Sequence, residues 1–371
     1  MPTVLAINPG STSTKLALFD ETGCLRQEEI HHTAEELAAT PVLRDQLPAR
    51  LAATRRFLAA ADDPALHAVV GRGGPLRPLE GGCYRVDDAM ADDLASARWG
   101  EHASLLGGLM ARSLGEARGV PALVVDPVSV DELDPVARLS GVPEITRLGR
   151  SHALSLKAVS RLAAAELALP LAGSRFAAAH MGGGISVAAM RGGRIVDVND
   201  ALLGMGPFTP FRAGALPLRG VLDLVYGSGT ASSPEGARVP ARGQVERHLR
   251  AESGLFAYLG TGDLREVEAR MDAGDGRASE VWEAMVYQIA KELGAVAAAL
   301  GLDVHAVILT GGMSRSERLV ARLEERVGGL GPFLVYPGER EMEALAAGAL
   351  RVLAGEEQLR DYARVSDRSP R

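Results

Sequence analysis

Apolar residues recur along this chain in two rhythms. Short unbroken runs bounded by glycine, proline or polar residues predict strands at Val4–Asn8, Lys15–Phe19, His67–Gly71, Ala122–Asp126, Ala306–Thr310 and "FLVY" at 333–336. Longer stretches with apolar positions three and four apart predict helices over His102–Arg118, His152–Ala168, Ser279–Leu300, Ser314–Val327 and Glu341–Ala354. Strands alternating with helices place the chain in the α/β class.

The first two strands are joined by "NPGSTSTK" (Asn8–Lys15), a turn too short for a helix, so they pair as an antiparallel hairpin. This argues against a Walker P-loop, which ends in Lys-Ser/Thr and opens a helix; here a β-type run follows the lysine. The amides and hydroxyls of a glycine turn still suit a phosphate. Ser11, Ser13 and Lys15 stand at alternate positions, on one face of a strand. Further on, "RFAAAHMGGGISVAAMRGGRIVDV" (Arg175–Val198) repeats the arrangement of strand, glycine turn and strand. One such hairpin near the start of each half marks a duplicated domain, with two phosphate loops across one cleft. Residues 228–243 read as a surface loop, and the tail 363–371 as disordered.

A chain of 371 residues that is 47% hydrophobic is long enough for two domains. A formal charge of −7 offers no excess of cations for a nucleic-acid backbone or an anionic membrane. Cys24 and Cys83 form no Cys-x-x-Cys and read as reduced thiols. No run approaches a membrane span and the N-terminus lacks a signal-peptide pattern, so a cytoplasmic protein acting on small molecules is expected. Only three lysines occur, Lys15, Lys157 and Lys291, and one of them lies in the glycine turn.

Five blocks in order, "INPGSTSTKLALF", "AHMGGGISVAAMRGGRIVDVNDAL", "GPFTPFRAGALP", "LTGGMSRS" and "PGEREMEALAAGALR", resemble the butyrate kinases, within the acetate kinase branch of the acetate and sugar kinase, Hsp70 and actin superfamily. The resemblance spans nearly the whole chain. It implies two ribonuclease-H-like α/β domains of the actin-like ATPase kind flanking an ATP cleft. Residues 1–150 would form the first and 151–340 the second, the C-terminal helix, about 341–371, returning to the first. It also implies reversible ATP-dependent phosphorylation of a short-chain carboxylate to an acyl phosphate, Mg2+ as cofactor, and a homodimer or larger assembly.

By that resemblance Arg72, in "VVGRGGPL", binds the carboxylate, and Arg212, in "TPFRAG", stabilises the transferring phosphoryl. A guanidinium can grip either group through two hydrogen bonds. His180, ending a strand before "MGGG", donates to a phosphoryl oxygen. Asn8, Ser11, Ser13 and Lys15 in the first hairpin and Gly182, Gly183 and Gly184 in the second cradle phosphates, while Gly311 and Gly312 admit the adenosine. Asn8, Asp126 and Glu343 would position the metal, with Glu339 and Glu341 close enough in sequence to replace Glu343, and Asp126 is also a catalytic candidate. Pro75, Phe208 and Pro210 are expected in the acid pocket, beside Gly73, Gly74 and Pro207. His152 is expected to cap or pack its helix. The sequence departs from acetate kinases just upstream, where "RLGR" replaces a further histidine.

A short carboxylic acid, with a pKa near 4.3, is ionised at neutral pH and needs no general base. Charge neutralisation and positioning are then the main requirements of phosphoryl transfer. Kinases for acetate, propionate or branched acids would use the same charged residues. A sugar or hydroxyacid kinase would need a carboxylate base, for which Asp126 is the candidate. An actin-like ATP-binding protein would leave Arg72 and Arg212 without a purpose.

Overall fold

The computed structural model describes residues 1–40, 42–227 and 239–367. Twelve strands are present among them: β1 (Val4–Pro9), β2 (Ser13–Asp20), β3 (Gly23–His31), β4 (Ala68–Gly71), β5 (Cys83–Arg85), β6 (Ala122–Val125), β7 (Arg175–Met181), β8 (Ile185–Arg191), β9 (Arg194–Val198), β10 (Ala306–Gly311), β11 (Phe333–Pro337) and β12 (Arg360–Asp361). They form a seven-stranded sheet ordered β12-β5-β6-β4-β1-β2-β3 and a five-stranded sheet ordered β11-β10-β7-β8-β9.

The two sheets contain one module twice. In the first, β1, β2 and β3 run antiparallel in sequence while β4 and β6 join parallel on the far side of β1. In the second, β7, β8 and β9 run antiparallel while β10 and β11 join parallel beyond β7. This is the duplicated ribonuclease-H-like, actin-like fold.

The central strands are buried on both faces because a helix covers each. Leu5 and Ile7 point towards Leu106, Met110 and Leu114 of the helix Leu105–Arg118. Val4 and Ala6, one residue out of phase, face Met342, Leu345 and Ala349 of the helix Glu341–Leu353. The second sheet lies between the helices Gly276–Ala299 and Ala153–Glu166. Gly276–Ala299 starts before the expected Ser279 because Asp275 caps it, accepting from the amides of Arg277 and Ala278. A third cluster runs from Tyr84 and Val124 to Phe176 and Ile308, so the two sheets share a core.

The chain end is more ordered than expected. Tyr362 is fully buried, and its hydroxyl donates to Asp93 at 2.9 Å and accepts from the Arg77 amide at 3.0 Å. Ala363 and Val365 are held as well. Residues 368–371 lie outside the described residues, as do 228–238 of the expected surface loop, while a helix begins at Arg242.

Candidate active site

Register brings the first group of residues together. Asn8 and Lys15 are paired across β1 and β2. The Asn8 amide donates to Glu341 Oε2 at 2.7 Å, and Arg72, just past β4, donates to the same oxygen at 2.7 Å and to Asn8 Oδ1 at 3.5 Å. Lys15 Nζ donates to Glu339 at 3.0 Å. Burial works against the Lys15 charge, but the hydrogen bond and charge of Glu339 leave its pKa raised. Arg72 can reach this group because β4 closes tightly on its covering helix. A Cβ on Gly71 would lie 1.9 Å from the Gly107 carbonyl oxygen, so only glycine fits.

The second group is built at the ends of β7 and β10. His180 stacks on His152 with ring centroids 4.2 Å apart, and His152 Nδ1 meets Ser186 Oγ at 2.8 Å. Burial pushes the His180 pKa down to about 4 and holds His152 well below its ordinary value, so both rings are neutral at pH 7. His180 senses the charges of Glu339 and Arg72, which places it beside the first group, and its buried Nδ1 has no hydrogen-bond partner. Thr209 Oγ1 donates to the Gly183 carbonyl at 2.8 Å and accepts from the Arg212 amide at 3.0 Å. The Arg212 guanidinium lies over Gly184 and donates to the Ala201 carbonyl. Burial lowers the Arg212 pKa, with further opposition from Arg250. At Gly311, φ is +92° and a Cβ would lie 2.3 Å from the Met181 carbonyl oxygen, so β10 ends flush against β7. Gly312 borders open space.

Other expected residues have surroundings of their own. Asp126 stands in a left-handed turn with φ +38°, where its carboxylate accepts from the Gly82 amide at 2.7 Å and lies beside the buried Lys157–Glu132 pair. Burial raises its pKa to about 6. Glu343 is exposed, two positions and about 200° round the helix from Glu341, which at the first turn faces Asn8 and Arg72. Ser11 is exposed at the turn, and Ser13 donates to Glu29 on β3 at 2.7 Å. Phe208 packs in the core with Leu255 and Trp282. Pro210 is buried with its carbonyl accepting from Phe256, and Pro75 lies against Gly100. None of the three lines the apolar cavity of about 290 Å³ beside Arg212, whose walls include Leu202, Leu203, Met205, Pro207, Leu216 and Leu218.

Two further histidines and an arginine stand near these groups. His152 has no side-chain capping bond and instead stacks in the site. His102 accepts from the Ser104 amide at 3.2 Å, and its pKa is lowered by burial and by the charges of Arg72, Arg212 and Arg250. Both histidines precede helices at the ends of loops, a position with no spacing signal. Arg50 did leave one: it shares the apolar stripe of the helix Leu47–Ala59 with Thr54 and Phe57, a cation where the pattern calls for an apolar residue.

Two like modules of the actin-like ATPase fold, bringing glycine turns, two arginines and neutral histidines together, define a phosphotransferase of the actin-like class. The Porphyromonas gingivalis acetate kinase structure has this fold, superposing with a TM-score of 0.74 over 95% of this chain and 100% of that chain at 18% identity. Residues 142–331 match the acetokinase family model. A probable butyrate kinase 2 of Caldanaerobacter subterraneus subsp. tengcongensis is 45% identical over 361 residues, covering 97% of this chain and 99% of its own length. A probable butyrate kinase of Listeria monocytogenes is 44% identical with the same coverage. The chain belongs to the acetokinase family.

Proposed function

We propose that this chain transfers the γ-phosphoryl group of ATP to the carboxylate of butyrate or a closely related short-chain acid, reversibly giving an acyl phosphate and ADP. The observation that carries this reading is the state of the acids and bases around the cleft. Glu341 is committed to Asn8 and Arg72, Glu339 to Lys15, and His152 and His180 are neutral. A hydroxyl acceptor would need a free carboxylate to take its proton, and Asp126 lies with Gly82 and Lys157 instead. An ionised acid needs none.

In this reading Arg72 grips the acid while Glu341 holds its guanidinium in place. A carboxylate oxygen attacks the γ-phosphorus, the bond to the β-phosphate oxygen breaks, and its electrons leave with ADP. No proton moves. Arg212 neutralises the equatorial oxygens, and His180 offers a hydrogen bond to them. Gly182–Gly184 and Lys15 line the phosphates, and Gly311 and Gly312 admit the adenosine.

Among the described residues there is no group of three or more His, Cys, Asp and Glu side chains that would cage a metal. Asn8 Oδ1 and the Glu341 carboxylate do give the few hard oxygens that Mg2+ takes from a protein when phosphates and water supply the rest. Bound there, Mg2+ would neutralise phosphate charge. We place the enzyme in the cytoplasm, as a homodimer or larger assembly. The helix Leu218–Tyr226 presents Leu218, Leu222 and Tyr226 to solvent on one side in the single chain, a face for a second copy, and sedimentation velocity reads that state. Among the described residues no helix is long and apolar enough to cross a membrane.

Hydroxylamine trapping of acyl phosphate with a panel of acids tests the function. Each buried methylene contributes about 0.8 kcal/mol, roughly four-fold. Expected kcat/KM is therefore highest for butyrate or isobutyrate, lower for propionate and lowest for acetate. Acetate as the best acid would shift the substrate assignment; phosphorylation of glucose or glycerol with no acyl phosphate would overturn the reading.

A further inference from the structure

Arg50 is fully buried. Its guanidinium donates to the carbonyl oxygens of Gly10 at 3.1 Å, Ser11 at 3.4 Å and Ser13 at 2.9 Å, to Thr14 Oγ1 at 2.8 Å, and to Gln46 on its own helix at 2.9 Å. Among the described residues no carboxylate pairs with it, and burial alone lowers its pKa. The turn between β1 and β2 is thus held from behind by a single unneutralised cation.

Two consequences follow from peptide geometry and charge. In a planar trans peptide the N–H points opposite to the C=O. With the carbonyls of Gly10 and Ser11 drawn to Arg50, the amides of Ser11 and Thr12 point away from it. Side chains also alternate along β2: Thr14 faces Arg50, while Lys15 faces the other way, to Glu339 in the cleft. Amides turned outward with a buried positive charge behind them form a nest for an anion. We propose that Arg50 is a positioning residue for the polyphosphate of the nucleotide, setting the "NPGSTSTK" turn and adding an uncompensated positive charge beneath it. This rests on the phosphotransfer reading above. The acid, a single negative charge held at Arg72, gains much less from it.

The test is steady-state kinetics of Arg50→Gln with ATP and butyrate each varied, beside calorimetric titration of the same protein with ADP and a thermal melt. The KM for ATP and the Kd for ADP should rise about ten-fold or more while the KM for butyrate stays within about two-fold. Arg50→Lys keeps the charge but reaches fewer acceptors, and should lie between Arg50→Gln and the unaltered enzyme. A purely structural role would lower the melting temperature and the active fraction without separating the two KM values. A folded Arg50→Gln with an unchanged KM for ATP, or equal rises for both substrates, overturns the proposal. If Arg50→Gln does not fold, Arg50→Lys decides by the same comparison. Failure of the unaltered enzyme to phosphorylate any acid would sink the phosphotransfer reading, while the ADP titration would still decide the role of Arg50.

Discussion

Gly184→Ala separates the placement of Arg212 from the stability of the fold. A Cβ at this position would lie 2.2 Å from Arg212 Nη1, 2.7 Å from Cζ and 3.2 Å from Nη2. Non-bonded carbon and nitrogen settle at about 3.5 Å, so the guanidinium must retreat by roughly 1.3 Å. The obstacle is the end of a flexible side chain and the backbone of Gly184 is not in the left-handed region, so the fold should tolerate the methyl group with a melting temperature near that of the parent. A displacement of about 1 Å in a group that meets the transferring phosphoryl costs on the order of a hundred-fold in rate. We therefore expect kcat for butyrate, read by hydroxylamine trapping, to fall by about two powers of ten. Arg212→Ala should fall by two to three, and Gly184→Ala placed on top of Arg212→Ala should cost little more, because the group it displaces is gone. A Gly184→Ala enzyme with parental kcat, or one whose loss adds in full to that of Arg212→Ala, would refute the reasoning. Gly71→Ala is the contrast: its methyl group would meet Gly107 backbone at 1.9 Å, and it should lose stability before activity.

Two further tests use buried charge. Asp126, with its folded pKa raised from 3.8 to about 6, contributes stability below pH 4 that is lost as pH rises through 6, about 3 kcal/mol in all; His180, depressed from 6.5 to about 4, contributes stability above pH 6.5 that is lost as pH falls towards 4, about as much. The two oppose each other between pH 4 and 6, so Asp126→Asn should raise the urea midpoint at pH 7 and steepen its fall on acidification; a lowered midpoint at pH 7 would count against this. The three lysines should separate by readout: Lys15→Ala lowers kcat/KM, Lys157→Ala loses a buried pair with Glu132 at 3.1 Å and about 3–5 kcal/mol of stability, and Lys291→Ala, over the Tyr287 ring, changes neither. A parental melting temperature for Lys157→Ala, or parental kinetics for Lys15→Ala, would contradict the respective placement.

The duplicated hairpins were legible because they are local. A strand, a glycine turn and a returning strand lie within about two dozen residues, and period-two burial appears directly in the letters. The covering helices were legible for the same reason. Clustering was legible where a residue sits within a motif: Asn8, Arg72 and Lys15 are joined through Glu341 and Glu339. It was not legible where phase at a helix start decides, since Glu339, Glu341 and Glu343 each stand two positions from the next but face different surroundings. Nor does a strand end show which way its side chain turns. Asp126 and Asn8 both end strands of the first sheet, but a φ of +38° sends the Asp126 carboxylate to the Gly82 amide. The binding of Tyr362 to Asp93 and Arg77 joins residues some 270 to 285 positions apart, and nothing in the tail's polar composition announces it.

The charges around the cleft are unevenly compensated. On the side of the first sheet Lys15 and Arg72 each have a glutamate, supplied by Glu339 and by the helix Glu341–Leu353 that covers that sheet. On the side of the second, Arg212 forms no ion pair among the described residues: it rests on the Ala201 carbonyl, with Asp200 acting only at a distance and Arg250 opposing it. A polyanion in the cleft therefore meets an unpaired, desolvated cation on each side, Arg212 beside the second sheet and Arg50 beneath the turn of the first. Arg72, held by Glu341 and Asn8, keeps a fixed geometry, which suits a small monoanion that must be aimed more than attracted. In the proposed transfer the unpaired cations draw the phosphates and the paired Arg72 aims the acid, without any residue having to gain or lose a proton.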